Sequence, residues 1–164
     1  MERNRLSNIM THLSGLIMIL SLLLTVAAND ADSNQKIADR RNLQQEFLEL
    51  YDAERFKQSI LPASRIVTLT EEIYGEKSFK LITPLNNLAS AYYMIEDFEN
   101  AQLLFLRCIE LIEDNQNIIS PELIEPLYGF GLTLNRFEQY QEAIDILQRA
   151  LRINHVNQGF HNLA

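Results

Sequence analysis

Residues Leu85–Ala101 read LNNLASAYYMIEDFENA, and 42 positions later residues Leu127–Ala143 read LYGFGLTLNRFEQYQEA. At this shift Pro84 pairs with Pro126, Leu85 with Leu127, Leu88 with Phe130, Ala89 with Gly131 and Tyr92 with Leu134. The match continues with Phe98 and Tyr140, Ala101 and Ala143, Leu104 and Ile146, Phe105 and Leu147, Cys108 and Ala150, and Leu111 and Ile153. Agreement in size and polarity at one fixed shift marks a repeat architecture, in which each unit buries its apolar face against its neighbours. Within a unit, Leu85, Leu88, Ala89 and Tyr92 follow an i, i+3, i+4, i+7 pattern, as do Ala101, Leu104, Phe105 and Cys108. Each group is one stripe on one helix. Only the short stretch MIEDFEN lies between the stripes, so the two helices must fold back as an antiparallel hairpin. Ala89, Gly131, Ala101, Ala143, Cys108 and Ala150 stand where the stripes meet, and small side chains there let the backbones approach. The expected fold class is all-α, a stack of antiparallel helical hairpins.

Composition agrees and narrows the function classes. A chain of 164 residues with 47% hydrophobic and 22% charged residues can bury a core. With 14 Lys and Arg against 22 Asp and Glu, the formal charge is -8, which argues against binding nucleic acid, because phosphate contacts run on clustered cations. Three histidines, His12, His155 and His161, do not fall at helical metal-pair spacing, and the sequence contains neither a glycine-rich phosphate loop nor a Glu-x-x-His motif. The expectation is a chain without catalytic residues, metal or cofactor. The single cysteine, Cys108, shares its repeat position with Ala150 and reads as a small packing residue rather than a nucleophile.

The paired stripes resemble the tetratricopeptide repeat, most closely the longer units of the kinesin light chain type. Leu85, Leu88, Ala89 and Tyr92 resemble the motif's first helix, and Phe98, Ala101, Phe105 and Cys108 its second. Leu127, Phe130, Gly131, Leu134, Tyr140, Ala143, Leu147 and Ala150 carry the same pattern. A shift back by 42 places Leu43, Phe47, Leu50, Tyr51, Phe56, Ser59, Ala63, Ile66 and Leu69 in an upstream unit, in which Glu46 occupies a core position. Pro62 falls inside the second helix of this unit, where proline costs about 3 kcal/mol, so that helix is expected to begin near Leu61 rather than Phe56. The units are thus placed at 42–77, 78–119 and 120–154, the first of them degenerate. The resemblance implies a right-handed superhelical stack.

Thr83-Pro84 and Ser120-Pro121 each read as an N-cap followed by the first helical residue, and Gly75 as a helix stop. Pro126 leaves two alternatives, a kink in a helix that starts at Pro121 or a separate short turn over 121–125.

The N-terminus has a different character. Arg3 and Arg5 precede the apolar run LIMILSLLLTVAA (Leu16–Ala28), which ends in small residues before the polar stretch NDADSNQ. Residues 1–28 read as a secretory signal peptide cleaved after Ala28, with an uncleaved membrane anchor as the alternative. Residues 29–41 read as a polar spacer becoming helical near Ile37, and 155–164 as a tail or the start of a further repeat. The expected location is therefore outside the cytoplasm, periplasmic or secreted, with no membrane contact in the mature form.

The resemblance also implies what the stack does. Its positions beside the packing stripe of the first helices face a protein or extended peptide partner, and here they are Asn86, Ser90, Tyr93 and Met94, then Tyr128, Leu132, Asn135 and Arg136. Gln44, Leu48 and Tyr51 are the counterparts in the degenerate unit. Amides can pair with a peptide backbone, and tyrosines offer rigid area with a polar tip. A grip on a terminal carboxylate would need cations at these places, and only Arg136 is one. The expected function is a non-enzymatic exported scaffold for protein or peptide binding; the alternative is a helical accessory domain or subunit of a larger exported enzyme or envelope machine. The terminal hairpin also offers a surface for self-association.

Overall fold

The computed structural model describes the backbone of residues 2–115 and 119–161 and the side chains of 18, 20–115 and 119–158. Among these every regular element is helical: α1 (Glu2–Asp52), α2 (Phe56–Tyr74), α3 (Ile82–Met94), α4 (Phe98–Asn115), α5 (Ile124–Arg136) and α6 (Tyr140–His161), with 3-10 turns at Phe79–Leu81 and Pro121–Leu123. The chain divides into two compact units, 1–38 and 39–164.

The first unit is the leading part of α1. Among its described side chains Met18, Leu20, Leu22, Leu23, Leu24 and Val26 are exposed. The hydroxyls of Ser21 and Thr25 donate back to the carbonyls of Met18 and Leu22, both at 2.8 Å, so the apolar run presents few free polar groups. The polar stretch 29–41 is helical throughout, with Lys36 paired to Asp32 at 3.1 Å. No helix among the described residues is long and apolar enough to cross a membrane.

In the second unit each helix packs on the next in sequence, α2 on α3, α3 on α4, α4 on α5 and α5 on α6, and α3 also touches α5. The first helices of successive hairpins therefore lie side by side. Leu85, Ala89, Ala101, Cys108 and Leu127 are fully buried, and Leu88, Phe105, Phe130, Leu134, Ala143 and Ala150 nearly so. Burying each of the larger aliphatic side chains contributes about 1.5–3 kcal/mol, and this shared core holds the hairpins together.

The upstream hairpin is more regular than its sequence implies. Its turn repeats the geometry of the other two: Glu54, Glu96 and Glu138 all have positive φ, at 56°, 64° and 61°. Around each, the same two backbone bonds close the preceding helix, Glu96 N–H to Tyr93 C=O at 3.0 Å and Asp97 N–H to Tyr92 C=O at 3.0 Å in the central unit. This pairing satisfies the helix's last carbonyls.

Consequently α2 begins at Phe56, not near Leu61, and carries Pro62 inside it. Three rings anchor that start, Phe47 to Tyr51 at 5.4 Å and Tyr51 to Phe56 at 5.0 Å between centroids. The packing of these rings and of buried Ala63, Ile66 and Leu69 offsets the local cost of the proline. Ser59 fills the slot of Ala101 and Ala143, its hydroxyl donating to the Phe56 carbonyl at 2.9 Å. Glu46, at the expected core position, is exposed.

The capping expectations are corrected in part. Ser120 and Pro121 do open a turn, but a 3-10 turn that ends at Leu123, so α5 starts at Ile124. Pro126 then lies in the first helical turn, where its missing N–H would have had no intrahelical partner, and no kink is needed. Likewise α3 starts at Ile82 after the turn Phe79–Leu81, which places Thr83 inside the helix rather than at its cap. Gly75 caps α2 with φ 88°. At the other end α6 continues through 155–161, and residues 162–164 of the expected tail lie outside the described residues.

Polar contacts between hairpins also recur at the repeat spacing. Arg107 reaches Glu71 at 2.6 Å, and Arg149 reaches Glu113 in the same way one unit later. The Asn115 amide donates to Leu111 C=O at 2.8 Å and to Lys77 C=O at 3.5 Å, and Asn157 repeats both bonds to Ile153 and Ile119.

Candidate functional site

The first helices set side by side leave a cleft of about 390 Å³ between α3 and α5, lined also by Tyr51 of α1. Asn86, Ser90, Tyr93 and Met94 line it from α3, and Tyr128 and Leu132 from α5. Seven residues that the sequence places beside the packing stripes, Tyr51 among them, thus meet in one cleft. They do so because a position just off the buried stripe of α3 faces the same side as its neighbour on α5. Met94 and Tyr128 are exposed.

Asn135 and Arg136 stand outside this cleft, on the last turn of α5. Arg136 lies over the rings of Tyr93 and Phe98, 5.9 and 5.5 Å from their centroids, and its Nε donates to the Tyr93 hydroxyl at 3.3 Å. Gln44 and Leu48 on α1 do not line the cleft.

Three lining residues were not legible as such: Glu125, Gly129 and Phe105. Phe105 belongs to the packing stripe of α4, but its ring reaches the cleft floor because Gly129 on α5 has no side chain. A Cβ at Gly129 would come within 3.0 Å of three atoms of that ring. Glu125 precedes Pro126 in the first turn of α5 and corresponds to Thr83 one unit earlier, so the repeat carries no signal for a carboxylate there.

Hydrogen bonding in the cleft is uneven. The Asn86 Nδ2 donates to Glu125 Oε2 at 3.2 Å, while Asn86 Oδ1 is buried without a donor. An unpaired buried acceptor of this kind costs about 1–3 kcal/mol. Ser90 Oγ donates to the Asn86 backbone carbonyl at 2.9 Å. A second cleft, of about 430 Å³, continues past Asn86 and Glu125 between the N-terminal turns of α3 and α5, and includes Thr83 and Glu122.

Cys108 fits its sequence reading. It is fully buried, its thiol touching the Ile82 carbonyl at 3.5 Å, and burial followed by the nearby Glu125 charge pushes it up to about 12. Such a thiol is a poor nucleophile at neutral pH. Among the described residues no three His, Cys, Asp or Glu side chains are placed to hold a metal ion.

The apolar face of the last hairpin is partly open. Ile124, Tyr128, Leu147 and Leu151 border a cleft of about 390 Å³, and Leu151 is exposed. One unit earlier, Ile109 at the equivalent position is buried in the core that α4 shares with α5.

Comparison with known proteins gives a fold and one matched repeat. The chain is similar to the crystal structure of BtubC (BKLC) from P. vanneervenii, with a TM-score of 0.66 at 19% identity over 73% of this chain. The match covers 48% of that chain, so this protein spans about half the length of its structural relative. No curated protein matches the sequence. The tetratricopeptide repeat model matches residues 82–115, which are the two helices α3 and α4. The hairpin stack around this matched repeat has the fold of a tetratricopeptide-type solenoid.

Proposed function

We propose that the chain is a non-catalytic interaction scaffold that holds an extended segment of a partner protein in the cleft between α3 and α5. The observation that carries this reading is the convergence of Tyr51, Asn86, Tyr93 and Tyr128, from three successive hairpins, on one open cleft. Their rings supply rigid contact area and their polar tips can pair with a peptide backbone. Tetratricopeptide repeats generally bind proteins or peptides, which supports the same class of partner.

A photo-crosslinking residue placed at Met94 of the full chain, which lines the α3–α5 cleft and not that of the last hairpin, tests it, with Leu103 on the outer surface of α4 as control. Crosslinks to one partner segment from position 94 but not 103 are the expected result; equal labelling from both positions refutes cleft binding.

We also propose that the scaffold works outside the cytoplasm. The exposed apolar run ending in Val26-Ala27-Ala28 supports a leader removed after Ala28. N-terminal sequencing of the protein recovered from its cell should begin at Asn29; a start at Met1 would favour the anchor instead.

The open face of the last hairpin favours a second reading, an accessory subunit that docks through Tyr128, Leu147 and Leu151. In that case Leu151→Glu, and not Asn86→Ala, would abolish partner capture.

A further inference from the structure

We infer that the bound segment presents a Lys or Arg side chain to Glu125, with an apolar side chain beside it on the floor formed by Phe105 and Gly129. This rests on the reading of the α3–α5 cleft as a peptide site and specifies the chemistry of the peptide.

The donor and acceptor inventory of the cleft drives the inference. Asn86 Nδ2 gives one of its two hydrogens to Glu125, and Asn86 Oδ1 is left without a donor. Ser90 gives its proton to the backbone, so toward a ligand its oxygen can only accept. The Tyr93 hydroxyl accepts from Arg136. Glu125 adds a carboxylate, and neither this cleft nor the one adjoining it is lined by Lys, Arg or His. The ion pairs of the described residues join other side chains, and none of them includes Glu125. The charge of the lining is therefore carboxylate alone, with the unpaired Asn86 Oδ1 as a further acceptor, which suits a ligand that brings N–H groups and a positive charge. The tyrosine rings in the same lining, Tyr51, Tyr93 and Tyr128, suit the methylene stem and the charged head of such a side chain. The chain's net charge of -8 works in the same direction, drawing cationic segments toward the surface. An acidic segment would meet Glu125 with no cation in the cleft to compensate, and like charges brought together there disfavour it.

The test is a selection of random linear peptides displayed on phage against the full chain and against its Glu125→Gln, Glu125→Lys and Tyr128→Ala variants. Circular dichroism and urea midpoints verify that each variant is folded; Glu125 is exposed, so its replacement should leave the fold intact. The expected outcome is enrichment of sequences with Lys or Arg next to an aliphatic or aromatic residue. Synthetic versions should bind on the order of fivefold more weakly to Glu125→Gln, the scale of a partly exposed ion pair. The Glu125→Lys chain should instead enrich Asp or Glu. Peptides that lack a basic residue, or bind Glu125→Gln equally well, yet are lost on Tyr128→Ala, would overturn the cation inference and leave the peptide cleft standing. No enrichment, or binding indifferent to Tyr128→Ala, would remove the peptide cleft and the inference with it.

Discussion

Gly129→Ala is the substitution whose sign tests the packing most sharply. In a solvent-exposed helix, alanine for glycine stabilises by about 1 kcal/mol, because glycine has more backbone freedom to lose on folding. Here the new methyl would sit within 3.0 Å of Cζ, Cε1 and Cε2 of Phe105, whereas ordinary contact begins near 3.4 Å. The residue is 2% exposed and packed between α4 and α5, so any movement of the ring, including toward the cleft it floors, gives up packing contacts. Moving it by roughly 1 Å forces a poorer rotamer or a shift of α5, an overpacking cost of about 1–3 kcal/mol. The cost exceeds the helix gain, and the net effect is a destabilisation of about 1 kcal/mol. Urea unfolding of the full chain followed by circular dichroism measures it. In a Phe105→Leu background the ring is gone and the same change should become neutral or stabilising, a reversal that a double-mutant cycle reads directly. Gly131→Ala should be milder, because the obstacle there is Cγ and Cδ2 of the half-buried Leu147, farther off at 2.7 Å than the nearest ring atom at Gly129 and free to shift as a whole side chain. A Gly129→Ala chain more stable than wild type by about 1 kcal/mol would show that Phe105 does not hold the position described, and the cleft floor would have to be redrawn.

Glu96 adopts φ 64°, a conformation that costs a side-chain-bearing residue about 1 kcal/mol or more, so Glu96→Gly should raise the urea midpoint by about 0.5 kcal/mol of stability. A lowered midpoint would mean that its side chain matters more than its backbone. The Arg149–Glu113 pair, with side chains 28% and 33% exposed, should show a coupling of about 0.5–1 kcal/mol in a double-mutant cycle, shrinking in high salt; coupling that is absent at low salt would make the pair incidental. Cys108 should resist thiol reagents at pH 8 in the native chain and react at once in urea. Its folded value near 12 lies above the ordinary 9.0, so the native state keeps a proton that the unfolded chain releases as pH passes 9. The stability linked to this group is therefore complete below about pH 9 and declines as pH climbs toward 12; a stability curve flat over that window would contradict the burial.

The repeat by itself determined the hairpins, their order and the faces they bury, because a helix stripe needs only local spacing and a fixed shift reveals which stripes are equivalent. The same logic carried Asn86, Ser90, Tyr93, Met94, Tyr128 and Leu132 to one side of the stack, since a residue just off the stripe inherits its direction from the stripe. Asn135 and Arg136 follow the same register yet miss the cleft, being on the last turn of α5, where Arg136 folds back over Tyr93 and Phe98. What the tertiary structure alone decided is everything that depends on how one hairpin meets the next. Local preference argued for a late start to α2, and the stacked rings of Phe47, Tyr51 and Phe56 overrode it. Glu125 reads as an ordinary first-turn acid until α3 brings Asn86 against it from 39 positions away. Gly129 reads as a lapse in a helix until Phe105 arrives from the preceding hairpin. Periodicity encodes the face a residue turns, but not the side chain it meets there, and that meeting depends on the fit between two separately folded hairpins.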